Sequence, residues 1–376
     1  MPVKIAVLRE TLAMERRVAV VPAVAARIKK LGAEISMQSG AGEAAKLVDA
    51  AYRDVVFVPD VRSLVRGADV VLAVQPPPLE VIQAMREGAI LISFIYAANN
   101  PELVKRLGEK RITCFAMERV PRISRAQAMD ALSSQATLSG YYATLIAATQ
   151  LARIFPRMTT AVATLRPATV LVMGLGVAGL QALATAHRLG AVVEGYDVRP
   201  ETKEEAASVG AKFVDTGVDA RGEGGYAREL TEAEKSKVTS VITSHIQQAD
   251  VIITTAAVPG RSAPKLISKA QVEGMKAGSV IVDLAADSGG NCELTRPGET
   301  IRVGQVTIVG PLDVPSMLAE HASELYAKNL LNFLQLLIRD GRLQPDWSDE
   351  VIARTALTGA GAVAVASPPQ QVKAAV

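Results

Sequence analysis

Val170-Leu171-Val172-Met173-Gly174-Leu175-Gly176-Val177-Ala178-Gly179 is a short apolar run followed at once by three glycines in GxGxxG spacing, and Leu180 to Leu189 continues with helical periodicity. A lone GxGxxG says little, because glycine-rich turns are common and can close with no ligand. A strand before it and a helix after it give the glycines a physical reading. Absent side chains let the backbone approach a phosphate, and the first helical turn presents free N–H groups and the positive end of its dipole. The next apolar run, Ala191 to Tyr196, ends at Asp197, eighteen positions after Gly179. A carboxylate there can accept from both hydroxyls of an adenosine ribose, while a 2′-phosphate would bring like charges together. Asp197 therefore favours NAD(H) over NADP(H). Arg199, two residues on, is the one feature that could receive such a phosphate.

Working outward, the pattern is βα repetition on both sides of this turn. Lys4–Leu8, Glu34–Met37, Val55–Val58, Asp69–Val74, Ala89–Ile95 and Arg111–Ala116 read as strands. Pro22–Leu31, Val61–Arg66, Leu79–Arg86 and Pro101–Glu109 carry helical spacing between them, several with Pro in the first turn. A long helical stretch, roughly Leu132 to Phe155, leads into a second series with strands at Thr169–Met173, Ala191–Tyr196, Lys212–Val214, Asp250–Thr254, Ser279–Leu284 and Val306–Val309. The expected class is α/β: two Rossmann-like, doubly wound parallel-sheet domains joined by long helices. The expected boundaries are 1–132 with 318–376 for the first domain and 133–317 for the second, the late helix Ala319 to Ile338 packing back on the first. Beyond Val351 there is no strong signal, and Gly217 to Glu229, with its lone Tyr226, reads as a mobile loop.

Bulk properties narrow the function. The 376 residues are too many for one ordinary core, and the 49% apolar content supports more than one. Forty-one basic against 38 acidic residues leave +3, with no Lys/Arg stripe, so nucleic acid is not an expected partner. Cys114 and Cys292 stand apart from each other and from any histidine, which argues against zinc and for a reducing compartment. The N-terminus offers no basic-then-apolar leader, and the uncharged run Pro167 to His187 is interrupted by glycines, so neither secretion nor a transmembrane segment is expected. His187, His245 and His321 read as structural or surface residues.

One segment departs from the α/β rhythm. Pro121-Arg122-Ile123-Ser124-Arg125-Ala126-Gln127-Ala128-Met129-Asp130, with Ser133 and Ser134 behind it, concentrates guanidiniums, an amide, a carboxylate and hydroxyls in an apolar chain. Arg119, Arg122 and Arg125 at three-residue spacing could form one solvated helical face. The density instead suggests a ligand pocket, serving the same cofactor as the glycine turn. From Arg122 through Gln135 to Gly140-Tyr141 the segment resembles the signature of the NAD(H)-binding component of proton-translocating NAD(P) transhydrogenase. Arg17-Val18-Ala19-Val20-Val21-Pro22, the glycine turn, Gly224-Gly225-Tyr226-Ala227, Asp283-Leu284-Ala285, Gly289-Gly290-Asn291-Cys292 and Ala327-Lys328-Asn329-Leu330-Leu331-Asn332-Phe333 resemble that family as well.

The resemblance implies a set of roles. Arg122, Gln127, Asp130 and Ser133 would orient the dihydronicotinamide, with Gln127 reaching toward a second nucleotide. The cofactor contacts would come from Gly174, Gly176, Val177, Ala178, Gly179, Asp197, Val198, Arg199, Gly225, Ala256 and Leu284, with Tyr226 closing over NAD(H). It also implies a homodimer docked, at the cytoplasmic face of the inner membrane, on a membrane-spanning subunit and an NADP(H)-binding subunit. Alanine dehydrogenases share the fold and are the rival reading, alongside a non-catalytic NAD-binding docking protein. Where those dehydrogenases carry a lysine and a histidine for acid/base work, this chain has Gln75 and Tyr96; Arg17, which would hold a substrate carboxylate, and Asp287 are kept. Neither glutamine nor tyrosine readily moves a proton near neutral pH. Hydride transfer between two nicotinamides needs none at the reacting carbons, so positioning and water exclusion suffice.

Overall fold

The computed structural model describes residues 2–218, 231–257 and 262–359. The chain divides into two compact units. One takes Met1–Gln135 and the described residues from Pro315 onward; the other takes Ala136–Val314. The chain leaves the first unit within the helix Ala131–Gln150 and returns to it at Pro315.

In the first unit, six parallel strands, Val3–Val7, Ala33–Gln38, Val56–Val58, Val70–Leu72, Ile90–Ser93 and Thr113–Ala116, lie in the spatial order third, second, first, fourth, fifth, sixth. Val70 to Leu72 and Ile90 to Ser93 are buried throughout, as the central strands of a sheet covered on both faces must be. Helix Val61–Arg66 starts at Asp60, whose carboxylate accepts from the Ser63 amide at 2.8 Å. Helix Pro22–Lys29 begins on a proline already set for helical φ. The late helix Ala319–Leu337 buries Tyr326, Leu330, Phe333, Leu334 and Leu337 in this unit's core, with Phe333 edge-on to Phe115 at 5.1 Å.

The second unit repeats the winding. Its strands Thr169–Met173, Val192–Tyr196, Lys212–Phe213, Val251–Thr254, Val280–Asp283 and Val306–Val309 run parallel, again ordered third, second, first, fourth, fifth, sixth. Met173 pairs with both Tyr196 and Thr254, and Thr254 with Asp283, so four carboxyl ends line up. In such sheets ligands bind at the carboxyl ends, where the winding reverses; here that is between Thr169–Met173 and Val251–Thr254.

The α/β class with two largely parallel sheets is as the sequence implies. Several elements are not. The long helix stops at Gln150, five residues before the expected Phe155, and Pro156 excludes helical backbone at the residue before it. An antiparallel strand Thr300–Val303 closes one edge of the second sheet, and Ala356–Thr358 closes the first, against Thr113–Ala116. Helix Glu232–Gln248 carries a Thr231/Glu234 capping box. Met158–Thr159 and Thr164–Leu165 form an isolated hairpin.

Candidate functional site

The glycine turn lies in the second unit's crevice, and its three glycines differ in why they lack side chains. Gly174 has φ +95°, and a Cβ there would stand 2.9 Å from both the Ala256 amide and Thr255 Oγ1. A Cβ on Gly179 would meet the Gly174 carbonyl at 1.9 Å. Both are demanded by the chain's own packing. Gly176 is not: it has φ −77°, open to any residue, and a Cβ would have nothing within 4 Å. A side chain missing where packing permits one leaves room for something outside the chain. Helix Val177–Arg188 begins at this residue, three positions earlier than its periodicity suggests, so its free N–H groups open directly onto that space.

Asp197 follows the adjacent strand. Its Oδ2 accepts from the Leu175 amide at 2.7 Å and its Oδ1 from the Arg199 amide at 2.9 Å, which ties the carboxylate to the turn. The Arg199 guanidinium closes on the same group, Nε to Oδ1 and Nη2 to Oδ2, both at 3.0 Å. Across the crevice Asn291, fully buried, accepts from the Ala256 amide at 3.0 Å and donates to the Ala256 and Pro264 carbonyls, both at 2.8 Å. Asp283 accepts from the Ala285 and Cys292 amides and from Thr295 Oγ1. The Asp283-Leu284-Ala285 and Gly289-Gly290-Asn291-Cys292 motifs are thus the girders of this rim. Gly174, Gly176, Val177, Ala178, Gly179, Asp197, Val198, Arg199, Ala256 and Leu284 all sit at these strand ends; Gly225 and Tyr226 lie outside the described residues. The crevice fits a dinucleotide: space at Gly176, donors for a pyrophosphate, and a carboxylate one strand away for a ribose.

Gly140 contributes from the long helix. A Cβ there would meet the Ala178 carbonyl at 2.0 Å, and Thr144 Oγ1 reaches the Ala182 carbonyl at 3.2 Å. The absence of a side chain lets the helix lie against the start of helix Val177–Arg188.

In the first unit, Arg122, Gln127, Asp130 and Ser133 line one cleft of ≈ 480 Å³ together with Pro121, Ile123 and Ser124. Two of the four have structural work as well. Asp130 caps the long helix, accepting from the Ser133 amide at 2.9 Å and Ser133 Oγ at 2.6 Å. Arg122 and Gln127 are exposed, and their side chains make no hydrogen bond or ion pair among the described residues. The arginines share no helical face: Arg119 is half-buried, Arg122 faces the cleft, and Arg125 pairs with Asp349 at 3.0 and 2.6 Å. The late helix positions this segment. Asn329 and Asn332 both donate to the Ala128 carbonyl, at 2.9 and 3.1 Å, and Ser134 Oγ donates to Asn329 at 2.7 Å. Their i, i+3 spacing was the available signal, but nothing local reveals what they hold.

The first sheet's carboxyl-end crevice has no glycine turn and carries a buried ionic network. Glu15, its side chain 0% exposed, accepts from the Arg17 amide, Nε and Nη2 at 2.9, 2.8 and 2.6 Å, from Gln75 Nε2 at 2.8 Å and from Ser316 Oγ at 2.6 Å. Burial works to raise its carboxyl, but the hydrogen bonds and charge of Arg17 outweigh it and hold the group down at about 2. Arg17 spends its remaining Nη1 on Gln135 Oε1 at 2.9 Å. Burial pushes the neighbouring Glu10 up to about 7, although the Val74 and Gln75 amides hydrogen-bond to it. Gln75 is locked into this network, and Tyr96 stands exposed with φ +48° beside Phe94. Of the histidines, His245 pairs with Glu194 at 2.7 Å, and His187 and His321 are exposed. No cluster fit for a metal ion occurs among the described residues.

Fold and crevice together define a dinucleotide-binding α/β protein of doubly wound architecture. The family description "Alanine dehydrogenase/PNT, N-terminal domain" matches residues 6–139, and "Alanine dehydrogenase/PNT, C-terminal domain" matches 143–366. The chain belongs to the alanine dehydrogenase/PNT family. It is 43% identical over 355 residues to NAD(P) transhydrogenase subunit alpha of Haemophilus influenzae, covering 93% of this chain and 69% of that protein. It is also 43% identical over 373 residues to an NAD(P) transhydrogenase subunit alpha chain of Rhodospirillum rubrum, covering 96% of this chain and 97% of that one. The solved transhydrogenase structure from Sinorhizobium meliloti superposes with a TM-score of 0.84 at 39% identity, over 96% of this chain and 98% of that one.

Proposed function

We propose that this chain is the NAD(H)-binding subunit of a proton-translocating NAD(P) transhydrogenase, passing hydride between its NADH and NADP+ on a partner subunit. The observation that carries the reading is Gly176: a glycine that packing does not require, at the mouth of a helix, one strand from Asp197. When bound, NAD(H) supplies the hydride. The chain's own residues bind and orient. The turn's N–H groups hold the pyrophosphate, Asp197 the ribose, with Val198, Ala256, Leu284, Gly225 and Tyr226 around the nucleotide. Arg122, Gln127, Asp130 and Ser133 orient the dihydronicotinamide. Arg122 and Gln127 have side-chain donors to spend because no partner among the described residues takes them.

The relatives' designation as alpha subunits supports separate partners: an NADP(H)-binding subunit and a membrane-spanning one through which transfer is coupled to protons. No helix among the described residues is long and apolar enough to cross a membrane; the proposed position is peripheral, at the cytoplasmic face of the inner membrane. The Met158–Leu165 hairpin supports a homodimer. All four of its strand residues are exposed and Val162 at its tip is 95% exposed, while a lone two-stranded hairpin is barely stable in water without a covering surface. Sedimentation of the purified chain at half the dimer mass retires the homodimer. Against the amino-acid dehydrogenase reading stand Gln75, immobilised on Glu15, and Arg17, whose charge is already matched by Glu15.

The test mixes purified chain with an NADP(H)-binding component and follows hydride transfer between nucleotide analogues. Asp197→Ala is expected to weaken NADH binding on the order of tenfold or more, the worth of one to two charge-assisted hydrogen bonds. Gln127→Asn is expected to slow transfer far more than it weakens binding; equal losses make Gln127 a binding residue only. Transfer without a partner, or alanine-dependent reduction of NAD, sinks the reading.

A further inference from the structure

We propose that Arg199 is a specificity-determining residue that competes with the adenosine ribose for Asp197, so that NADH binds only as the guanidinium lets go. This rests on the reading of the second crevice as a dinucleotide site. A carboxylate offers about four acceptor positions. Asp197 gives one to the Leu175 amide at 2.7 Å and one to the Arg199 amide at 2.9 Å, and both of these fix it to the turn. The remaining two, one on each oxygen, are filled by Arg199 Nε and Nη2 at 3.0 Å. Two parallel donors on two carboxylate oxygens is also the geometry in which a vicinal diol binds a carboxylate, and the two cannot share it.

Which group yields is decided by burial and anchoring. The Asp197 side chain is 8% exposed and held by two backbone amides; that of Arg199 is 45% exposed on a flexible stem. The carboxylate stays and the guanidinium swings out. While clamped, Arg199 also cancels the charge that excludes a 2′-phosphate and offers that phosphate a cation. The pair therefore weakens NADH binding and narrows the preference for NADH over NADPH. A two-pronged ion pair whose guanidinium stays in solvent accounts for a factor of about three to five in affinity.

The experiment titrates the purified full-length chain with NADH, NADPH and reduced nicotinamide mononucleotide, which lacks the adenosine ribose. Arg199→Met is expected to tighten NADH about three- to fivefold, loosen NADPH, and leave the mononucleotide unchanged; Arg199→Lys, with a single prong, falls between. NADH binding that is unchanged or weaker in Arg199→Met overturns the proposal and makes Arg199 a bystander or an adenosine contact. Asp197→Asn separates the two levels. If it leaves NADH affinity intact, the crevice reading fails and the exchange with it; if it weakens NADH while Arg199→Met does not tighten it, only the exchange is wrong.

Discussion

Replacing Glu15 by alanine is expected to cost the first unit about 3–5 kcal/mol, because it strands the Arg17 charge in the interior. Glu15 takes five donors on two oxygens, and its loss unpartners Arg17, Gln75 and Ser316 together. In a thermal scan this is a drop on the order of 10 °C in that unit's transition. The double variant Glu15→Ala/Arg17→Met should recover much of the loss, since it removes the charge that was stranded. Costs that simply add would show that the pair's mutual charge is not what matters. The pH profile carries the same physics. Glu15, lowered from 4.5 to about 2, contributes stability that is present above pH 4.5 and lost as pH falls toward 2. Glu10, raised from 4.5 to about 7, contributes stability that is present below pH 4.5 and lost as pH rises through 7. The unfolding temperature of this unit should therefore peak between those limits, and Glu10→Gln should flatten its upper limb.

The second large effect separates glycines that sit three residues apart. Gly179→Ala places a methyl 1.9 Å from the Gly174 carbonyl, inside a turn that cannot widen without pulling strand from helix. A loss of about 3 kcal/mol is expected in the second unit, the upper end of overpacking costs. Gly176→Val puts its Cβ where no atom lies within 4 Å, at an unstrained φ of −77°, so the fold should hold. NADH affinity should fall on the order of 100-fold as the side chain fills the space a pyrophosphate needs. Calorimetry with and without NADH reads both. A Gly176→Val chain that binds NADH normally removes the cradle; one that unfolds early shows that Gly176 is a packing glycine after all.

What could be read from the sequence divides along a physical line. The strand from Thr169 to Met173, its glycines and Asp197 are contiguous or one βα unit apart, so local pattern specifies them. The central strands were visible because burial on both faces leaves uninterrupted Val, Ile and Leu runs. Thr300–Val303 and Ala356–Thr358 were not, since short edge strands have one neighbour each and take their form from it. The polar cluster was visible as composition, but its division of labour was not. That Asp130 and Ser133 cap a helix while Arg122 and Gln127 stay uncommitted depends on geometry, and the grip of Asn329 and Asn332 on the Ala128 carbonyl joins residues about 200 positions apart. The Glu15–Arg17 pair is two residues apart and still illegible, because burial decides its meaning.

The strand Ala356–Thr358 has a consequence for how the protein is made. It completes the first sheet against residues synthesised far earlier, and Thr358 Oγ1 bonds the Ile112 carbonyl across 246 positions of chain. The second sheet draws all its strands from Thr169 to Val309 and can close while the ribosome is still adding the late helix. The first sheet thus cannot be completed before the second sheet's strands have all been made. Until then its Thr113–Ala116 edge stands open as a template for other strands, an interval in which a nascent chain depends on chaperones or on the speed of its own completion.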